Sequence, residues 1–305
     1  MKLHLIRPNA YHLRGGSNAG LLVHGKEALV IDAGLDDDAG RRILRLAEGL
    51  GVSITAILIT HAHADHFGGG AFLRRRTGAP VYAPAVEAGI VAHPLLEPLF
   101  LFGGAMPIAE LRGRFTLARR ACPVDHPLEP GTLSIGPFTV EVVPLPGHAP
   151  NQVGIAWEDV LFCADAFFPT KVLQKHPIPF CADVGPALET LARLPAMPYA
   201  FFAPGHGDVL TPETLPAVIE ANRQRLQAIL RVVQETLDEP RETAVLLKAV
   251  ADHLGAEHRA PWQHYLAQTT VLAALAYLRE QGLVDVEMRE NRLLWTRKPE
   301  PFENR

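Results

Sequence analysis

The sequence predicts an α/β fold, a mixed sheet architecture with flanking helices, followed by a small C-terminal unit of helices and a strand pair. Three observations carry this expectation. Over the first two hundred residues, short apolar runs ending in turn residues alternate with segments of helical period. After Thr211 the composition changes, and a long helical pattern opens with Pro212 and Glu213. Beyond it, two further helical patterns are each closed by a glycine and precede two short β-prone runs.

In chain order, strands are expected over residues 3–6, 20–23, 28–31, 56–60, 138–143, 152–157, 160–163 and 200–203. Helices are expected over 37–48, where acidic residues suit a helix N-terminus, and over 68–76 and 184–193. Domain limits follow: residues 1–210 form the main unit, 211–240 a linker helix ended at Asp238-Glu239-Pro240, and 241–305 a winged-helix-like unit. That last unit has helices at 243–254 and 269–281, closed by Gly255 and Gly282, and strands at 283–287 and 292–295.

Between residues 84 and 130 the pattern degrades into an irregular stretch rich in proline, glycine and leucine. An insertion of that length in a compact domain is usually a lid or binding loop, although it can also be a flap that completes the core. Its apolar part, 95–106, with Phe100 and Phe102, is expected to lie over the functional site and contact substrate.

The bulk numbers exclude some classes. The 29 basic and 33 acidic residues give no electrostatic reason for a nucleic-acid or membrane surface. No run reaches the ~20 apolar residues of a membrane span, and the N-terminal run is broken by charge and proline before a signal-peptide core forms, so a cytoplasmic protein is expected. Cys122, Cys163 and Cys181 are too few and too scattered for a disulfide framework, and Cys163 reads as a small buried hydrophobe.

The chemistry is concentrated at Thr60-His61-Ala62-His63-Ala64-Asp65-His66, directly after an apolar strand. Three imidazoles and a carboxylate in six residues must be solvated, paired or coordinated. With 14 histidines in the chain, a chance H-x-H-x-D-H arises in roughly one chain in a thousand. His61 and His63 project to one side because strand side chains alternate, so both can reach one metal, while Asp65 and His66 lie round the turn and can face a second. Gly68, Gly69 and Gly70 are expected to let the backbone crowd close to the ions. Further ligand types end other strands: His148 after Pro146-Gly147, Asp165 after Cys163-Ala164, and His206 after Pro204-Gly205.

This ordered series resembles the metallo-β-lactamase superfamily, whose motifs are an early D-x-G, here Asp32-Ala33-Gly34, then H-x-H-x-D-H, a glycine-histidine, an aspartate and a last histidine. The likeness covers residues 1–210 and implies an αββα sandwich with two divalent metals, zinc or its manganese or iron substitutes, at the edge between the sheets. It implies that one metal takes His61, His63 and His148, that the other takes Asp65, His66 and His206, and that Asp165 bridges them. Asp32 reads as structural, orienting backbone or a ligand imidazole. Asp65 is expected to act as general base and proton shuttle for a metal-bridging hydroxide.

Substrate is less sharply indicated. Members that hydrolyse quorum lactones carry a tyrosine three residues past the bridging aspartate, where this chain has Phe168, and residues 165–206 leave no room for the insertion of nucleic-acid-processing members. The glycine pair after the metal motif is similar to glyoxalase-type thioesterases, without an identifiable basic glutathione-binding cluster. The reading is a small hydrophobic ester, thioester or lactone, with Phe100, Phe102 and Phe168 in the pocket. Alternatives are RNA phosphodiester hydrolysis, because the tail resembles that of endoribonuclease-like members, and an oxygenase with one iron on His61, His148 and Asp165. Residues 269–280 are poor in cations for a phosphate-reading helix, so a packing or homodimer role suits the tail better.

Overall fold

The computed structural model describes residues 1–298, and residues 299–305 of the expected C-terminal unit lie outside the described residues. The chain opens with β1 (Lys2–Arg7), β2 (Ala10–Arg14), β3 (Ala19–His24) and β4 (Glu27–Ile31), an antiparallel run. Helix α1 (Asp37–Gly49) crosses to β5 (Ser53–Leu58), and its first N–H groups are capped by the Asp36 carboxylate. Next come α2 (Ala64–Phe67), α3 (Gly70–Thr77), β6 (Val81–Ala83), α4 (Ala85–Ala92), α5 (Leu96–Leu101) and β7 (His126–Pro127). Strands β4 to β7 pair in parallel and complete a seven-stranded sheet in the order β1-β2-β3-β4-β5-β6-β7.

The second sheet is built from β8 (Gly131–Ile135), β9 (Phe138–Pro144), β10 (Val153–Trp157) and β11 (Val160–Ala164), followed by α6 (Thr170–Lys175), α7 (Val184–Arg193) and β12 (Phe201–Pro204). Its order is β12-β11-β10-β9-β8. Helices α8 (Leu215–Thr236), α9 (Thr243–Leu254) and α10 (Pro261–Glu280) and the hairpin of β13 (Val284–Arg289) and β14 (Arg292–Arg297) complete the described chain. Among the described residues no helix is long and apolar enough to cross a membrane.

Strand alternation explains the layering. Leu29 and Ile31 of β4 and Ala56 and Leu58 of β5 face Phe138, Val140, Ile155, Val160 and Phe162 across the gap between the sheets. The intervening Ala28, Val30 and Ile57 face outward onto Ile43 of α1 and Leu73 of α3. On the other sheet Leu161 and Cys163 face the opposite way, into a core shared with Leu191, Ile219, Leu246, Val271 and Leu275. Both sheets are thus apolar on two faces, which is why their strands read as continuous hydrophobic runs. The helices after residue 210 bury their apolar sides in the same continuous core as the second sheet.

Several elements differ from expectation. The helix expected at 68–76 is α3, beginning at Gly70, and a separate short helix, α2, precedes it from Ala64, so Asp65 and His66 are helical. The expected irregular stretch 84–130 contains α4, α5 and the edge strand β7, with Pro84 and Pro94 punctuating the helices. Helix α10 starts at Pro261, eight residues before the expected start at 269, because Pro261 suits a first helical position and Gln263 reaches back to the Arg259 and Ala260 N–H groups, at 2.8 and 3.1 Å. Strands β2 and β8 escape the apolar-run criterion, since β2 carries His12 and Arg14 and β8 is a half-exposed edge.

Candidate metal centre

Strands β4 and β5 run parallel, and β9, β11 and β12 share one direction in the other sheet, so residues just past their ends gather at one edge of the sandwich. That edge receives Asp32, His61, His63, His148, Asp165 and His206, with Asp65 and His66 from α2. The seven expected ligands are therefore brought together. Ligand atoms of His61, His63 and His148 lie within 4.8 Å of one another, as do those of Asp65, His66 and His206. Asp165 stands between the groups: Oδ1 is 3.4 Å from His66 Nε2, and Oδ2 is 3.6 Å from His148 Nε2 and 3.4 Å from His206 Nε2.

Three of the five imidazoles are oriented by a bond from the other nitrogen to a carboxylate or a backbone carbonyl. His66 Nδ1 meets Asp32 Oδ2 at 2.8 Å, His148 Nδ1 meets the Phe180 carbonyl at 3.0 Å, and His206 Nδ1 meets the Gly16 carbonyl at 2.9 Å. With the N–H donated outward, the remaining Nε2 lone pairs point inward. Asp32 also accepts from the Thr60 N–H at 2.8 Å and the Thr60 hydroxyl, which is the orienting role read from sequence. The backbone is strained at this edge: Asp32 has φ 61° and Ala164, just before Asp165, has φ 49°.

Three buried polar atoms here lack any hydrogen-bond partner among the described residues: His61 Nε2, His66 Nε2 and Asp165 Oδ1. His63 Nδ1 and His148 Nε2 face each other at 2.7 Å. Converging imidazole nitrogens and carboxylate oxygens that lack hydrogen-bond partners fit divalent cations, which take both kinds of atom together. Room is kept for them by Gly205, where a Cβ would come within 2.1 Å of Asp165 Oδ1 and 2.7 Å of His66 Cε1. Gly68 and Gly69 act differently from expectation: they allow the turn after β4 to pack close, and a Cβ on either would strike the Leu35 or Ala33 carbonyl at 2.0 or 2.3 Å.

The two groups differ electrically. Burial, reinforced by neighbouring imidazoles, holds His61 and His63 well below the ordinary histidine range, and burial lowers His148 too. In the other group burial also opposes charge, but the Asp165 and Asp65 carboxylates outweigh it, raising His66 strongly and His206 to about 9. Asp165 is driven well below the usual carboxylate range; burial opposes this, and His206 and His66 outweigh it.

Braces reach this edge from segments the sequence reading does not assign to it. The loop between β2 and β3 lays the Ser17 hydroxyl on the Asp65 carbonyl at 2.5 Å and the Asn18 amide on the Pro204 and Gly207 carbonyls at 3.0 and 2.9 Å. From α4, buried Glu87 accepts from the Ala62 N–H at 3.0 Å and the Asn151 N–H at 3.1 Å. From α5, buried Glu97 meets the Ala64 N–H, and burial raises its carboxyl well above the usual range. The available signal was one glutamate in each short apolar helix, AVEAGIVA and LEPLFL.

Of the expected pocket residues, Phe168 lies at the centre, its ring 5.5 Å from that of His148 and 6.1 Å from that of His206. Phe180, unassigned from sequence, sits 4.9 Å from His63 and 5.4 Å from His148. Phe100 is 65% exposed on α5, and Phe102 packs edge-on against Tyr265 of α10 at 5.4 Å.

Two ligand groups with one carboxylate between them, at the open edge of a two-sheet sandwich, form a candidate metal centre. The chain belongs to the metallo-beta-lactamase superfamily, whose family pattern matches residues 12–206, and it is a metallo-hydrolase of that fold. It is 33% identical over 205 residues to the Bacillus subtilis protein described as "Probable metallo-hydrolase YqgX", covering 64% of this chain and 88% of that one. It is 31% identical over 183 residues to a hydroxyacylglutathione hydrolase of Albidiferax ferrireducens, covering 57% of this chain and 56% of the relative. Across nearly its whole length the fold is shared with a metallo-beta-lactamase family protein of Thermus thermophilus, with TM-score 0.72, 24% identity, and coverage of 96% of this chain and 100% of that chain. A beta-lactamase domain protein of Burkholderia ambifaria gives TM-score 0.77, 20% identity, and coverage of 97% and 94%.

Proposed function

We propose that this chain is a dinuclear zinc hydrolase acting on a small acyl thioester with an apolar acyl group. The observation that carries the reading is the pair of ligand groups joined by Asp165 beneath the rings of Phe168 and Phe180. The hydroxyacylglutathione hydrolases among its relatives favour the thioester over the ester and lactone. The first ion would be held by His61, His63 and His148, the second by Asp65, His66 and His206, with Asp165 shared. When bound, such cations supply Lewis acidity that polarises a carbonyl and lowers the pKa of a shared water.

The chain's own groups do the rest. Asp65, part-exposed with Oδ2 3.5 Å from His206 Nε2, takes the proton released when the water attacks and returns it to the departing thiolate. Phe168 and Phe180 exclude bulk water and offer apolar surface to the acyl group. Asp32, the Phe180 carbonyl and the Gly16 carbonyl keep His66, His148 and His206 in the tautomer that presents Nε2 inward.

The test is elemental analysis of the purified chain together with turnover of a panel of S-acylglutathiones, p-nitrophenyl esters and a short RNA. About two zinc ions per chain and turnover led by the thioesters support the reading. One iron with thiol-dependent oxygen uptake, or RNA cleavage without ester or thioester turnover, overturns it.

A further inference from the structure

Thr270 lies in the middle of α10, outside the stretch that matches the family pattern, and it is completely buried. Its hydroxyl donates to the Pro179 carbonyl at 3.0 Å and accepts from the Cys181 N–H at 3.1 Å. Phe180 is the residue between these anchors. A threonine inside a helix ordinarily returns its proton to the carbonyl four residues back, but here the Leu266 carbonyl is at 3.5 Å and Pro179 is nearer. The hydroxyl therefore ties a neighbouring segment to the helix.

That segment reaches the metal site twice. The Phe180 carbonyl accepts from His148 Nδ1, and the Ala182 and Asp183 N–H groups both donate to the Gly147 carbonyl, at 2.9 and 3.0 Å. Accordingly we propose that Thr270 is a positioning residue for the metal site: by fixing the backbone on both sides of Phe180, it holds the carbonyl that sets the orientation and tautomer of His148. The proposal rests on the reading of His148 as a metal ligand. Loss of the hydroxyl strands one N–H and one carbonyl in a dry interior, and a shift of residues 179–181 is the available relief. Such a shift carries the Phe180 carbonyl away from His148 and frees the imidazole to turn. Outer partners of ligand histidines govern affinity in this way.

The test compares the full-length protein with Thr270→Val, which keeps the shape, and Thr270→Ser, which keeps the hydroxyl. Zinc affinity is read by competition with a chromophoric chelator, ligand geometry by the visible absorption of the cobalt-substituted protein, and stability by melting of the metal-free form. The valine variant is expected to bind its first zinc about 10–100-fold more weakly and to show an altered cobalt spectrum, while the serine variant stays within about twofold of wild type. Should the valine variant be recovered unfolded, Thr270→Ala is measured in the same way and decides the matter. Wild-type zinc affinity and an unchanged cobalt spectrum in the hydroxyl-free variant, whatever its melting temperature, would overturn the proposal and leave Thr270 as packing alone. A wild-type chain that takes up no divalent metal overturns the metal-site reading, and this proposal falls with it.

Discussion

The strand ends and the braces of the metal centre are specified in opposite ways. At the strand ends each ligand is a local consequence of its own segment: a strand stops, the chain turns, and a histidine or aspartate is left at the edge. The braces are single polar side chains from remote segments, Glu87 from α4, Asn222 from α8 and Thr270 from α10, each with its polar atoms on backbone beside the site. Removing a ligand changes which chemistry is available, whereas removing a brace changes how well the same chemistry is held. The two kinds of substitution should therefore separate in their kinetic signatures.

The largest effect is expected at Asp65. Asp65→Asn keeps the shape of the α2 start and the Ser17 contact to its backbone carbonyl, but loses the carboxylate that accepts the proton. With saturating zinc, kcat for a thioester should fall about 10²–10⁴-fold while the metal-free protein melts as wild type does. Unchanged kcat with a raised KM would place Asp65 among the braces and erase the distinction at its strongest point.

A second effect concerns the floor beneath the strand ends. His12 of β2 is buried with Nε2 3.3 Å from the Pro204 carbonyl, and burial lowers its pKa from 6.5 to about 4. Below pH 6.5 the unfolded chain takes up a proton that the folded chain refuses until about pH 4, so this contribution to stability is present above pH 6.5 and lost as pH falls through that window. The loss approaches about 3 kcal/mol at pH 4. Urea unfolding of wild type and His12→Gln across this range should give a flatter pH profile for the variant. Parallel profiles would show that His12 does not titrate with folding.

The same division governs what the sequence reveals. His61, His63, His148, Asp165 and His206 are legible as candidate ligands because each closely follows a strand end, a local pattern, and Asp65 and His66, on α2, because they stand in the same short motif as His61 and His63. The layers are legible for the same reason, since strands buried on both faces read as unbroken apolar runs. Thr270 in TTVLAALAYL and Glu97 in LEPLFL are not, because nothing local says that a distant backbone group waits for a lone polar side chain. Phe180 fails to stand out because its role uses a carbonyl and a ring face, which any short Pro-Phe-Cys segment owns. The start of α10 at Pro261 is a milder case, visible only once Gln263 is seen to reach back over the cap.

Glu87 tests the braces from the insertion side. Its two carboxylate oxygens face two N–H donors, those of Ala62 and Asn151, so Glu87→Gln places an amide donor against one of them. The variant should lose about 1–3 kcal/mol of stability in urea, with zinc affinity lowered as the His61-Ala62-His63 backbone loosens. Loss of stability with wild-type zinc affinity would confine Glu87 to joining the insertion to the sheet.

The smallest and most diagnostic effect is expected at Asn222. Its side chain is buried on α8, where Oδ1 accepts from the Phe168 N–H at 2.9 Å and Nδ2 donates to the Phe168 carbonyl at 2.8 Å. Phe168 presents only its ring to His148 and His206, and no bond of the Asn222 pair reaches a ligand nitrogen. Asn222→Leu should thus leave zinc affinity alone while letting the aromatic wall wander. The expected result is a KM for octanoyl thioesters raised about three- to tenfold, with acetyl thioesters less affected and kcat within about twofold, since an apolar contact of ~1 kcal/mol is lost from binding. Because Thr270 and Asn222 brace walls on the same edge, the contrast between them is the sharpest test of the comparison: one variant should move metal affinity and the other only the preference for acyl length. If both variants shift zinc affinity equally, the two aromatic walls and the ligands move as one unit, and brace and ligand are not separable in this protein.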